Sequence, residues 1–154
     1  MKRLINYISA FLLLTPFVAV GQGQPTSTER LASSVERAVR DNLPGWQLVK
    51  RHVRDNLVLN SWKEKDREVS ASFIEYESEA VAATKLEMAK VVIPVGLPKQ
   101  IDGIGDEAYI WANYSGGRST IQFRKGTVVV SVNAPADEAE KFAKHVADAI
   151  PLKK

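Results

Sequence analysis

Three short strand-like segments, separated by glycine-containing turns, restrict this chain to folds that contain an antiparallel sheet. The segments are residues 107–114, 119–124 and 127–133. Gly116 and Gly117 stand in the first turn and Gly126 in the second, where glycine is favoured because it adopts a positive φ without a steric penalty. Turns this short join neighbouring antiparallel strands. The sequence therefore predicts a β-meander in the last third of the chain.

A second group of three strands is predicted upstream, in residues 46–53, 57–62 and 68–76. In the third of these, the apolar Val69, Ala71 and Phe73 occupy alternate positions. Ser70 and Ser72 fall between them, which predicts a strand with one apolar and one hydrated face.

A helix is predicted before the first group of strands and after each group. Thr26 and Glu29 form an S/T-x-x-E capping box that marks the start of the first helix. The resulting order is α-βββ-α-βββ-α. It predicts an α+β fold in which helices cover a twisted, mainly antiparallel sheet of about six strands.

The second predicted helix, which follows Ser78, has an uneven distribution of apolar residues. Ala80, Thr84, Met88 and Val91 share one face. Leu86 lies almost opposite, so we expect its side chain to be exposed or to contact another surface.

The first twenty-one residues have the order of a secretory signal peptide. Lys2 and Arg3 precede an apolar run over residues 4–20, and the small residues Ala19 and Gly21 fit a cleavage site. An uncleaved membrane anchor and an ordinary core helix are the alternatives. The predicted organisation is a signal peptide over 1–21, a linker over 22–26 and a single α+β domain over 27–152. The expected location is periplasmic or secreted, with no stable membrane span after cleavage.

Charge and cysteine content argue against several functional classes for the expected exported domain. Without Lys2 and Arg3 the 21 basic residues become 19 against 18 acidic ones, so the formal net charge falls from +3 to about +1. A nucleic-acid partner is therefore not expected. The chain has no cysteine, which excludes thiol catalysis, zinc–thiolate sites and iron–sulfur clusters.

The loop before the meander carries the one pair of adjacent carboxylates that suggests chemistry, Asp106 and Glu107. Gly103 and Gly105 fit a turn, and Asp106 is expected to bind nearby backbone amides as in an Asx-turn. The alternative is a hydrolase or metal-dependent enzyme that uses both carboxylates. The H-x-x-x-H, H-x-E and G-x-S-x-G motifs are absent. The sequence therefore predicts no catalytic residue, no metal and no cofactor.

Aromatic residues supply the candidate binding surface. Trp62, Tyr109, Trp111 and Tyr114 are the side chains that could line a ligand or partner site. The competing interpretation is that they fill the core between the sheet and the helices.

Basic residues are concentrated around the first hairpins. They are Lys50, Arg51, Arg54, Lys63, Lys65 and Arg67. Acidic residues are interspersed among them, which favours the interpretation as a hydrated sheet edge whose charges prevent aggregation. Binding of an anionic partner, such as a cell-envelope polymer, is the alternative.

The last third of the chain resembles a known layout. Residues 105–109, residues 123–130 and the Ala/Glu-rich last helix are similar to small secreted bacterial proteins of unknown function with a PsbP-like α/β/α sandwich architecture. The resemblance implies a binding or accessory module with no shared catalytic residues.

These observations predict a secreted or periplasmic, non-catalytic binding or accessory protein whose partner is an unknown protein or envelope component. Two alternatives stay open. One is a periplasmic inhibitor or immunity protein that inserts Trp111 or the Gly116-Gly117 turn into a protein target. The other is the enzyme that uses Asp106 and Glu107.

Overall fold

A computed structural model describes residues 26–92, 98–113 and 117–151, and these form one seven-stranded sheet with three helices. The helices are α1 (Ser27–Asn42), α2 (Glu79–Val92) and α3 (Ala139–Ala149). The strands are β1 (Gln47–Arg54), β2 (Leu57–Glu64), β3 (Arg67–Glu75), β4 (Lys99–Ile101), β5 (Glu107–Asn113), β6 (Arg118–Lys125) and β7 (Val128–Pro135). No helix in these ranges is long and apolar enough to cross a membrane. The predicted signal peptide, Tyr114 and Gly116 lie outside the described residues.

Two meanders build the sheet, and they join along β3 and β7. The strand order is β1-β2-β3-β7-β6-β5-β4, and every pairing is antiparallel. The prediction of an antiparallel α+β fold covered by helices is confirmed. The sheet has one strand more than the six expected, because the short β4 pairs with β5.

Helices α1 and α3 cover one side of the sheet, which we call the helix-pair face. The Thr26 side chain accepts a hydrogen bond from the Glu29 amide, and the Glu29 carboxylate accepts one from the Thr26 amide, so the predicted capping box is present. The apolar side chains of α1 and α3 that face the sheet are buried in one core together with alternate residues of the central strands. At its centre, Phe142 of α3 packs edge-to-face against Trp46 and Trp62, with ring centroids 5.7 and 5.2 Å apart.

Helix α2 lies on the opposite side of the sheet, and it covers only β5, β6 and β7. We call this side the half-covered face, because no helix among the described residues packs there on β1, β2 or β3. In α2 the shared face of Met88 and Val91 is not the one that packs on the sheet, and Leu86 follows the second expectation, contact with another surface. Leu86 is fully buried against Tyr109 and Trp111, whereas Met88 and Val91 on the other side are 54% and 86% exposed.

Glycines shape the turns as predicted. Gly103, Gly105, Gly117 and Gly126 all have positive φ, between 57° and 80°. The charged hairpin tip between β2 and β3 also turns through a positive φ, at Lys65.

Candidate binding groove on the half-covered face

The predicted aromatic surface does not form. Trp62 is buried in the core under α1 and α3, and Trp111 is buried under α2, each with 1% of its surface exposed. Tyr109 lies beside Trp111, with ring centroids 6.3 Å apart. These three side chains therefore follow the alternative interpretation, in which aromatics fill the core. They serve two different cores, because β2 and β5 present them to opposite faces of the sheet.

Tyr109 is the centre of a polar cluster that fastens α2 to β5. Its hydroxyl donates a hydrogen bond to Glu107 (2.5 Å) and accepts one from the Lys90 ammonium (3.0 Å). Lys90 also forms an ion pair with Glu87. The bond to Glu107 raises the pKa of Tyr109 above its ordinary 10.0, with burial adding to the effect. The bonds to Glu87 and then to Tyr109 raise the pKa of Lys90 above 10.5.

The contact between α2 and the sheet should weaken in alkaline solution. Both groups have folded pKa values above their ordinary ones, so their protonated forms favour the folded state. That stabilisation is complete below about pH 10 and is lost as the pH rises through the folded values. We expect the free energy of unfolding, measured by urea titration, to fall more steeply above pH 10 in the wild type than in Tyr109→Phe. Equal slopes in the two proteins would contradict this coupling.

The carboxylates Asp106 and Glu107 have structural partners. Asp106 accepts hydrogen bonds from the Arg124 guanidinium (2.8 Å) and from the Gly126 amide (2.7 Å). The turn role is therefore present, but the expected local Asx-turn is replaced by a bond to a strand hairpin twenty residues away. The described residues contain no cluster of three or more metal-binding side chains. Asp106 therefore braces the loop before β5 against the turn between β6 and β7, whereas Glu107 belongs to the cluster around Tyr109.

The uncovered part of the half-covered face forms a groove of about 480 Å³, which we call the serine groove. Its floor consists of two rows of side chains that face each other across four neighbouring strands. The first row is Lys50, Ser61, Ser70 and Asn133. The second row is His52, Leu59, Ser72 and Ser131. Neighbours within a row are about 5 Å apart, and the rows are about 7 Å apart.

The four serine hydroxyls of the groove make no hydrogen bond to the described part of the chain. Each hydroxyl can donate one hydrogen bond and accept two, so all of this capacity faces the groove. Asn133 differs, because both ends of its side-chain amide already have a partner within the protein. Its side-chain oxygen Oδ1 accepts a hydrogen bond from Arg118 (2.7 Å), and its side-chain nitrogen Nδ2 donates one to the Thr120 hydroxyl (3.0 Å).

The basic residues of the first hairpins divide between the two faces. Arg51 forms an ion pair with Glu36 of α1, and Arg67 forms ion pairs with Asp137 and Glu138. These two cations therefore secure the helix-pair face. Lys50 and Lys63 point to the other side, and neither forms an ion pair within the described residues. The position of β1 at the sheet edge agrees with the predicted charged edge.

The groove is better arranged for binding than for covalent catalysis. Serine becomes a nucleophile when a neighbouring base accepts its proton and a third group orients that base. His52 and the serines form no such hydrogen bond among the described residues, and the lining residues include no carboxylate.

A second cavity of about 280 Å³ lies between the start of α1 and the end of the sheet at Gly126. Its lining combines apolar side chains, among them Leu31, Val128 and Ile150, with polar and charged ones. Of the charged residues Arg30, Glu75 and Glu79, the first two have further interactions within the protein.

Sequence reasoning missed the serine groove as a site, although one signal pointed to it. The alternation around Ser70 and Ser72 correctly predicts a strand with one hydrated face. Pairing of these residues with Ser61 and Ser131 depends on the strand order and register, which no local pattern contains.

Comparison with known proteins supports the fold alone. No protein-family model matches the chain, and no curated protein matches it. Its fold is similar to the crystal structure of a GTP binding regulator from Thermotoga maritima, with a TM-score of 0.50 and 15% sequence identity. The match covers 80% of this chain and 93% of that one.

Proposed function

We propose that this protein is a non-catalytic binding or accessory protein that holds a polar ligand in the serine groove. The observation that carries the proposal is the set of four half-buried serine hydroxyls without partners in the described part of the chain. Partly buried polar groups are normally hydrogen-bonded to protein or water. A polar ligand can take over those bonds when it displaces water.

The size and coverage of the groove suit a small ligand or one segment of a polymer. Its volume of about 480 Å³ lies within the range typical of ligand pockets. Leu59, which is 43% exposed, adds an apolar contact beside the hydroxyls.

Export of the protein is part of the proposal. It is supported by the order of basic, apolar and small residues over positions 1–21, and by the resemblance to secreted PsbP-like proteins. The ligand is then a component of the cell envelope or its surroundings.

The test is a binding map on the exported protein. We expect the protein recovered from the exported fraction to have the mass of a chain without residues 1–21. Titration of its ¹⁵N-labelled form with a soluble envelope extract should shift the amide resonances of Ser61, Ser70, Ser72 and Ser131. Ser70→Trp should abolish these shifts because the indole fills the groove.

Ser33→Trp is the matched control, since Ser33 is exposed on α1 at the opposite side of the sheet. It should leave the shifts intact, and circular dichroism should show both variants folded. Shifts confined to Met88 and Val91 on α2 would contradict the proposal. They would instead favour the alternative of a protein target, because those side chains form an exposed apolar surface.

A further inference from the structure

We propose that the ligand of the serine groove carries a phosphate group, and that Lys50, Ser61 and Ser70 hold it. This inference rests on the proposed function and adds the chemical class of the ligand, a phosphorylated sugar or polyol. The first row of the groove holds the phosphate, and the second row, with Ser72 and Ser131, contacts the hydroxyls of the ligand.

The first row brings three hydrogen-bond donors together. Lys50 lies directly across from Ser61, and Ser61 lies directly across from Ser70. Side chains opposite each other on antiparallel strands have Cβ atoms about 5 Å apart. One ammonium and two hydroxyls can therefore reach different oxygens of one tetrahedral anion. An ammonium has donors only, so this end of the row suits a partner that is rich in acceptors, such as an anion.

A second cation lies at the other end of the same row. Arg118 donates one hydrogen bond to the Asn133 side chain (2.7 Å). It donates two more to main-chain carbonyl oxygens, those of Asn133 (3.0 Å) and Glu68 (3.0 Å). All of these acceptors are uncharged. The half-buried guanidinium therefore has no carboxylate partner among the described residues. Its positive charge lies at the Asn133 end of the first row and favours an anion there.

The charged positions of the uncovered strands are mostly basic. On β1, β2 and β3 the residues that alternate onto this face include Lys50, Arg54 and Lys63, with His52 between the first two. Glu68, directly across from Lys63, is the one carboxylate at such a position in these strands, and Arg54 forms an ion pair with Asp55 of the adjoining turn. The cations without a carboxylate neighbour among the described residues are therefore Lys50 and, at the other end of the row, Arg118. A phosphate monoester carries a charge of about −1.5 to −2 at pH 7, so the excess of positive charge favours it over a neutral ligand.

The test compares three probes on ¹⁵N-labelled protein: glucose 6-phosphate, inorganic phosphate and glucose. Glucose 6-phosphate should shift the amides of Lys50, Ser61 and Ser70, and its affinity should fall as sodium chloride is added. Lys50→Gln should weaken it about fivefold or more, because a charge-assisted hydrogen bond is lost. Binding of inorganic phosphate at the same amides would show that the phosphate alone is sufficient, whereas binding of glucose 6-phosphate only would show that the sugar is needed as well.

Lys144→Gln on the exposed side of α3 is the matched control, and it should leave the affinity unchanged. Lys50 is exposed, so its replacement does not threaten folding. Equal binding of glucose and glucose 6-phosphate, with Lys50→Gln harmless, would overturn the phosphate inference while leaving the groove as a binding site. Absence of amide shifts with all three probes would also overturn the phosphate inference. The proposed function would then be tested separately by the titration with envelope extract.

Discussion

Replacing Phe142 with alanine should lower the free energy of unfolding by about 3–5 kcal/mol. Phe142 is fully buried, and its ring packs edge-to-face between Trp46 and Trp62. The substitution removes the aromatic contacts and leaves a cavity, because strand β2 and the chain before β1 hold the two indoles in place. Urea unfolding followed by circular dichroism measures the loss.

Lys141→Ala is the matched control for this substitution, because the neighbouring Lys141 is exposed on the same helix. Its expected effect is within about 0.5 kcal/mol. A loss of less than about 1.5 kcal/mol for Phe142→Ala would show that the surrounding core collapses into the space. The central role given to this aromatic cluster would then be wrong.

Gly105→Ala should also be strongly destabilising, with an expected loss of about 2–5 kcal/mol in the free energy of unfolding. Gly105 has a φ of +62°, and an added Cβ would lie 2.3 Å from the carbonyl oxygen of Arg124. That oxygen cannot easily move, because it accepts a hydrogen bond from the Asp106 amide at 2.8 Å. The substitution therefore adds a backbone collision to the cost of a left-handed conformation. Thermal or urea unfolding measures the sum.

Gly103→Ala separates the two contributions. Gly103 also has a positive φ, +80°, but nothing lies within 4 Å of its added Cβ. It should cost only the conformational part, about 1–2 kcal/mol. If the two alanine variants were equally stable, the close approach between the loop and β6 would have no energetic weight.

Phe142→Ala and Gly105→Ala lie in parts of the fold that can be located from the sequence. The strands of the two meanders follow from alternation at a period of two residues, as in Val69, Ala71 and Phe73. Helix α1 follows from a capping box and a single apolar stripe. These patterns are local, since each depends on residues a few positions apart along the chain. Gly105 belongs to the same class, because its need for a positive φ is a property of the turn itself.

Helix α2 shows where local patterns fail. Its apolar residues do not form one dominant stripe, so two faces compete for burial. Leu86 is buried because the sheet offers Tyr109 and Trp111 opposite it. Met88 and Val91 are left exposed. The choice is decided by the shape and chemistry of the surface that the helix meets, and that surface is built from residues more than twenty positions away.

The sequence by itself determined the antiparallel strands, the order of the helices and the hydrated face of β3. The tertiary structure decided how the parts meet: which face α2 covers, and that Ser61, Ser70, Ser72 and Ser131 lie side by side on the part it leaves bare. The physical reason is the range of the interactions. Backbone conformation and side-chain alternation are set by residues that are near neighbours in the chain. Strand order, register and the face that a helix covers depend instead on the packing free energy of the whole core.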